Sequence, residues 1–179
     1  MRVLFIIKDT AQCTNWFPQG IAYLAAVLLN KGHDVEIYSQ DMHHYPDEHL
    51  TKYLDNNHYD VVGVGVIGGY YQYRKLLKIS DAINNSKQRP FYIIGGHCPS
   101  PEPEYFLKKT QADAIVIGEG ENTIVELLEV VSNKRSLDNI KGIAFMDGDN
   151  IKINEDRPLI ENIDTIPFPA YHLFPIYFY

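Results

Sequence analysis

Three glycine-bearing stretches concentrate the residues that could do chemistry. Residues 61–70, VVGVGVIGGY, contain the spacing G-x-G-x-x-G at Gly63, Gly65 and Gly68. In the right setting such a pattern lets backbone N–H groups at a helix start hold a pyrophosphate. Residues 94–104, IGGHCPSPEPE, carry Gly95, Gly96, His97 and Cys98, and residues 117–122, IGEGEN, alternate Gly118, Glu119, Gly120 and Glu121. A fourth stretch at residues 8–20, KDTAQCTNWFPQG, adds Asp9 and Cys13. Cys98 reads as a small buried residue, because no Asp or His partner is placed beside it by sequence to make it a nucleophile. His43, His44 and His49 lack the carboxylate cluster that a metal site needs and read as solvated.

The setting decides against a dinucleotide. That fingerprint places its glycines after the first strand of the unit, and an acid ends the next strand about 20 residues on. Here Gly63 and Gly65 fall inside the third apolar run, and the fourth ends at Ile94 and Gly95 with no acid. Gly63 and Gly65 are expected to allow close helix packing, while Gly68 and Gly69 open the turn beyond them. A response-regulator reading fails as well, since it needs a phosphoacceptor Asp where Val66, Ile67 and Gly68 stand.

Five continuous apolar runs, at residues 3–7, 35–38, 61–67, 91–94 and 114–117, have the character of parallel strands covered on both faces. Between them lie helical spacings: Ile21, Leu24, Ala25, Leu28 and Leu29; Leu50 and Leu54; Leu76, Leu77, Ile79 and Ile83; a short one at residues 105–107; and Ile124, Leu127, Leu128 and Val131. Strict alternation predicts an α/β fold, a five-stranded doubly wound parallel sheet of flavodoxin-like or Rossmann-like kind in the order 2-1-3-4-5. Ligands of such sheets sit beyond the carboxyl ends of the strands, where strand order reverses. After residue 133 the pattern changes: residues 142–146 and 151–153 flank a turn-rich tip and predict a β-hairpin, and the tail from Arg157 holds four prolines. The expected division is an α/β domain over residues 1–135, then a hairpin and Pro-rich linker over 136–179.

Composition narrows the functions. A formal net charge of -7 without a long Lys/Arg run argues against nucleic acid, whose recognition rests on clustered cations. The longest apolar runs are strand-sized and no secretory leader is evident, so neither a membrane partner nor export is expected and a cytoplasmic protein is. Two cysteines, Cys13 and Cys98, build neither a disulfide framework nor a four-cysteine zinc site.

Four segments in order, over nearly the whole chain, resemble the N-terminal cobalamin (B12)-binding domain of B12-dependent radical SAM enzymes. They are residues 18–26, PQGIAYLAA, with 31–36, KGHDVE; 94–104; 113–123, DAIVIGEGENT; and 140–144, IKGIA, with 157–160, RPLI, and 166–171, IPFPAY. The resemblance implies a cobalamin-binding domain that supports methyl transfer from methylcobalamin. It also implies a [4Fe-4S] cluster and S-adenosylmethionine on a C-terminal radical SAM domain of the same parent chain, since the C-x-x-x-C-x-x-C ligands of such a cluster are absent here. The implied cofactor-binding positions are Asp9, Ile67, Gly68, Gly69, Tyr70, Gly95, Gly96, His97, Gly118, Glu119, Gly120 and Glu121.

Glu119 and Glu121 keep two readings, contacts to the cofactor or favourable charges at a helix start. His97 reads as a loop histidine bonded to backbone or to a corrin amide rather than as a ligand of cobalt. The D-x-H-x-x-G signature of related cobalamin proteins would begin at Asp9, but Ala11 and Thr14 occupy its His and Gly positions. Base-off binding without a histidine ligand is therefore expected. If the corrin passes over bare backbone at Gly96, a side chain there should cost affinity more than stability. The aromatic tail residues from Phe168 to Tyr179 are expected to form a docking surface that can be removed after Asp156 without loss of the fold. The alternative function is a non-catalytic α/β module that binds a nucleotide or a protein partner.

Overall fold

Each unbroken apolar run becomes a strand because both of its faces are covered. In a computed structural model that describes residues 1–10 and 16–179, β1 (Arg2–Ile7), β2 (Asp34–Ser39), β3 (Val61–Gly65), β4 (Phe91–Gly95) and β5 (Ala114–Val116) lie parallel in the order β2-β1-β3-β4-β5. The helices, in chain order, are α1 (Gln19–Asn30), α2 (Gln40–His43), α3 (Asp47–Asn56), α4 (Tyr70–Asn84), α5 (Pro103–Thr110) and α6 (Glu121–Ser132). Side chains alternate across β1, so Leu4 and Ile6 enter one core and Val3 and Phe5 the other. The first core is closed by Leu50 and Leu54 of α3, Leu76 and Ile83 of α4 and Leu107 of α5. The second is closed by Ala25 and Leu28 of α1 with Ile124 and Leu127 of α6. The doubly wound architecture and the strand order expected from the sequence are both present.

Three departures have local causes. The third strand stops at Gly65 rather than at residue 67, because Val66 turns to the neighbouring loop: its N–H donates to the Gly95 carbonyl at 2.8 Å and its carbonyl accepts from Cys98 N–H at 3.2 Å. The short helix α2 has no apolar period to announce it, and is held by the Ser39 hydroxyl, which accepts from Met42 N–H at 3.1 Å. The hairpin, β6 (Ile143–Asp147) with β7 (Asn150–Ile153), does not stand apart from the sheet. Strand β6 pairs antiparallel with β5, Ala114 opposite Phe145 and Val116 opposite Ile143, and extends the sheet to seven strands.

The expected tail is likewise only partly a free surface. It turns back onto the start of α1, where Ala170 N–H donates to the Ala22 carbonyl at 3.0 Å. Phe174 is buried beside Ile7 and Ala22, and the ring of Phe17 lies 5.2, 5.1 and 5.4 Å from those of Tyr171, Phe174 and Tyr179. Phe168 and Tyr177, by contrast, are 92% and 86% exposed. Removing everything after Asp156 would therefore uncover core at Ile7 and Ala22, which corrects the expectation of a dispensable tail.

Candidate functional site

Parallel strands and their crossovers bring the glycine-bearing loops to one edge. β3 delivers residues 66–69, β4 delivers 96–102 and β5 delivers 117–120, all beyond carboxyl ends of neighbouring strands. Asp9 follows β1 at the same edge.

The loop after β3 is the most open part. Ile67 is 69% and Tyr70 75% exposed, which is unusual for residues of this size in such proximity. Gly69, with φ 88°, precedes α4 in a conformation that L side chains rarely adopt, and a Cβ on it would meet nothing within 4 Å. As a cap without a side chain it leaves the first N–H groups of α4 for water or a ligand. Gly120 does the same before α6. Across the edge, the hydroxyls of Tyr73 and Tyr105 bond to each other at 2.7 Å, and that bond, with some burial, pushes the Tyr73 phenol up to about 12.

The loop after β4 is differently built. His97 is exposed, as is Gly96, but the side-chain space of Gly96 is taken: a Cβ there would lie 2.6 Å from the Val66 carbonyl oxygen, at φ 104°. The fold itself demands a glycine at this point, so a side chain here costs stability whether or not a corrin passes over this backbone. Ser100 ties two loops together, its hydroxyl donating to the Gly96 carbonyl at 2.9 Å and accepting from Gly118 N–H at 3.4 Å.

The other candidate positions divide. Gly118, φ 75°, is open on its side-chain side, whereas Gly120 faces Leu24 of α1, 3.0 Å from an added Cβ. The Glu119 carboxylate accepts from Ile160 N–H at 2.6 Å and so holds the returning tail. Glu121 lies in the first turn of α6, the setting of a favourable helix-start charge. Gly95 closes β4, with Val116 3.4 to 3.5 Å from an added Cβ. Asp9 is largely buried and pairs with His44 at 3.3 Å and Lys75 at 3.9 Å. The Ala11 and Thr14 positions on which the missing histidine ligand was argued, and Cys13, lie outside the described residues.

Sequence reasoning missed Lys8, Ser100 and the Tyr73–Tyr105 pair. Lys8 is buried and its amine, pushed down by burial to about 8, donates to the Gly65 carbonyl. Each of the three joins elements far apart in sequence, strands for Lys8, loops for Ser100 and helices α4 and α5 for the tyrosines, so sequence neighbours carry no sign of it. Two glycines of the G-x-G-x-x-G spacing have structural causes. Gly63 stands opposite Phe5 in the β1–β3 register, and a Cβ on it would lie 2.7 Å from that ring. It makes room for a neighbouring strand's side chain rather than for a helix; Gly65 does face α1, 3.6 Å from Ile21.

An edge with open glycine backbone, uncapped helix starts and exposed Ile67 and Tyr70 fits a large, flat, amide-bearing ligand. The sequence pattern of the B12 binding domain matches residues 13–128 of the chain. The chain belongs to the B12-binding domain family. Over 98% of its length it is 30% identical to an uncharacterized methyltransferase of Pyrococcus horikoshii, and spans 39% of that relative. Its fold is similar to part of the cobalamin-dependent S-adenosylmethionine radical enzyme OxsB, solved with aqua-cobalamin and S-adenosylmethionine bound, at TM-score 0.75 and 21% identity over 94% of this chain and 24% of that one. It is similar also to part of the radical S-adenosylmethionine methyltransferase TsrM of Kitasatospora setae, solved with cobalamin and a [4Fe-4S] cluster, at TM-score 0.71 and 18% identity, over 94% and 31% of the two chains. A B12-binding domain of this kind thus occupies well under half of the proteins it matches. Among the described residues no three His, Cys, Asp or Glu side chains are grouped to hold a metal ion, and no helix is long and apolar enough to cross a membrane.

Proposed function

We propose that this B12-binding domain is the cofactor-holding part of a longer, cytoplasmic radical SAM methyltransferase. Cobalamin, when bound, supplies the methyl group that such an enzyme transfers. The residues of this chain orient the corrin: loops 67–70, 95–97 and 118–121 give backbone donors and acceptors, Ile67 and Tyr70 give apolar cover, and Asp9 borders the site. The observation that carries the reading is the convergence of these loops on one open edge of the sheet in a chain of the B12-binding family. With only Cys13 and Cys98, the [4Fe-4S] cluster and S-adenosylmethionine belong to the radical SAM domain of the parent. Residues 1–135 form the cofactor unit, while 136–179 lead toward that domain; the boundary is one of role, since β6 is packed into the same sheet.

Cobalamin binds here base-off and without a histidine ligand, a reading supported by Ala11 at the position of the signature histidine. Adding hydroxocobalamin to the purified chain, desalting and recording the visible spectrum tests the site. A corrin spectrum that co-elutes at one equivalent is expected, and a colourless protein refutes the reading. Electron paramagnetic resonance of the reduced complex tests the ligation: no axial nitrogen splitting is expected, and clear splitting overturns the base-off assignment while leaving the site intact.

A further inference from the structure

A buried charge without a part in the cofactor reading lies at this same edge. Lys8 follows β1 and is 8% exposed, yet its ammonium donates to the carbonyl of Gly65, the last residue of β3. β1 and β3 are the neighbours between which strand order reverses. From Gly65 the chain passes to Val66, which is bonded to Gly95 at 2.8 Å and to Cys98 at 3.2 Å. The ends of β1, β3 and β4 are thus tied in series, and the exposed loop 67–70 departs from that tie. Two ionisable groups on other elements face the ammonium: Asp41 of α2 and Cys98 of the loop after β4. Asp41 is 4% exposed, and its Oδ1 already accepts from Thr10 N–H at 2.8 Å and Thr10 Oγ1 at 2.9 Å. On the same segment, Asp9 is paired with His44 and Lys75. A methionine would fill the space of Lys8 without the cost of taking a charge out of water, so the amine has a use that the apolar stem does not serve.

We propose that Lys8 is the positioning residue of the cobalamin site: its ammonium holds the end of β3, and with it loop 67–70, in the arrangement that takes the corrin, so cobalamin binds more tightly while the amine is charged. The proposal rests on the reading that cobalamin occupies this edge. A charge-assisted hydrogen bond is roughly twice as strong as a neutral one, so loss of the proton loosens the tie without removing the side chain. Burial lowers the amine from 10.5 to about 8 against the pull of Asp41 and Cys98, which brings the change into an accessible range. Affinity is full below that value and falls above it. Stability of the ligand-free domain carries the opposite sign. The unfolded chain binds the extra proton between about 8 and 10.5, so the contribution of Lys8 to folding rises with pH across that window.

The test is methylcobalamin affinity, read by equilibrium dialysis from about pH 7 to about pH 9.5, for the wild type, Lys8→Met and Cys98→Ser, with denaturant unfolding of each ligand-free protein at the same pH values. Methylcobalamin is used because it has no ionisable axial water. The wild type should lose about tenfold in affinity across the range while gaining stability. Lys8→Met should bind about tenfold more weakly near neutrality with a flat profile, and Cys98→Ser should keep the wild-type slope. A flat wild-type profile, a slope that survives in Lys8→Met, or a slope lost in Cys98→Ser each overturns the proposal. If Lys8→Met does not fold, the other two profiles decide. Absence of binding by the wild type at every pH refutes the cobalamin site itself, and this proposal with it.

Discussion

Replacing Gly96 by alanine is expected to damage the fold whether or not a ligand is present. The added Cβ would sit 2.6 Å from the Val66 carbonyl oxygen and 3.1 Å from its nitrogen, on a residue whose φ is 104°. Backbone atoms cannot yield by changing rotamer, so the loop must lift away from Val66 and stretch the 3.2 Å bond from Cys98 N–H. An L-residue at positive φ costs about 1–2 kcal/mol, and forcing an extra methyl into filled space about 1–3 kcal/mol. Together these give a loss of about 2–5 kcal/mol, which for a chain of this size lowers the melting temperature by roughly 5–15 °C. Gly69→Ala is the internal comparison. Its φ is 88° but its side-chain space is empty, so it pays the strain alone, about 1–2 kcal/mol. Thermal unfolding of the ligand-free wild type and both variants, followed by far-ultraviolet circular dichroism, measures the difference. If Gly96→Ala melts within about 2 °C of the wild type, or no lower than Gly69→Ala, the close approach to Val66 does not constrain the loop and the argument fails.

Other substitutions probe other layers. Phe174→Ala should cost about 3 kcal/mol, because the ring is 6% exposed against Ile7 and Ala22; urea unfolding measures it, and a loss under about 1 kcal/mol would support the removable docking surface expected from the sequence. Tyr92→Phe should cost only about 1 kcal/mol, since the fully buried hydroxyl meets Ser80 Oγ at 2.9 Å and Ser80 keeps its bond to the Leu76 carbonyl; a shifted midpoint with unchanged denaturant slope is the expected record. Glu119→Ala should speed proteolytic cleavage around residue 160 by freeing its N–H, while global stability changes by less than about 1 kcal/mol. Equal cleavage rates would mean the tail is held without that carboxylate.

Strand order was legible because each strand is an unbroken apolar run and the helices between them keep their own period. What stayed hidden depends on register and on pairing across the sheet. The reason for Gly63 lies in Phe5, its partner on β1, and nothing in the intervening residues announces that they stand side by side. In the sequence Lys8 is only the first polar residue after the apolar run 3–7; its acceptor belongs to Gly65, brought near only when β1 and β3 pair. The hairpin was recognisable from its turn-rich tip, but its attachment to β5 was not, because three residues, Ala114, Ile115 and Val116, supply the whole ladder. The glycine-bearing loops of the site could be found in the sequence because glycine marks backbone that must stay uncovered. Whether the cause is a ligand, as the space at Gly69 allows, or a neighbouring carbonyl, as at Gly96, becomes visible only with the neighbours in place.

The bond from Ala170 to Ala22 joins positions 148 residues apart, and with Phe174 it closes the patch formed by Ile7 and Ala22. During synthesis β1 and α1 emerge well before residues 170–174, and until those are made Ile7 and Ala22 lack the cover of Phe174. At about 5–20 residues per second, that interval is on the order of ten seconds or more. The patch is then a natural landing place for a holding chaperone, and a chain halted before residue 170 should be captured more readily than one that includes residues 170–174.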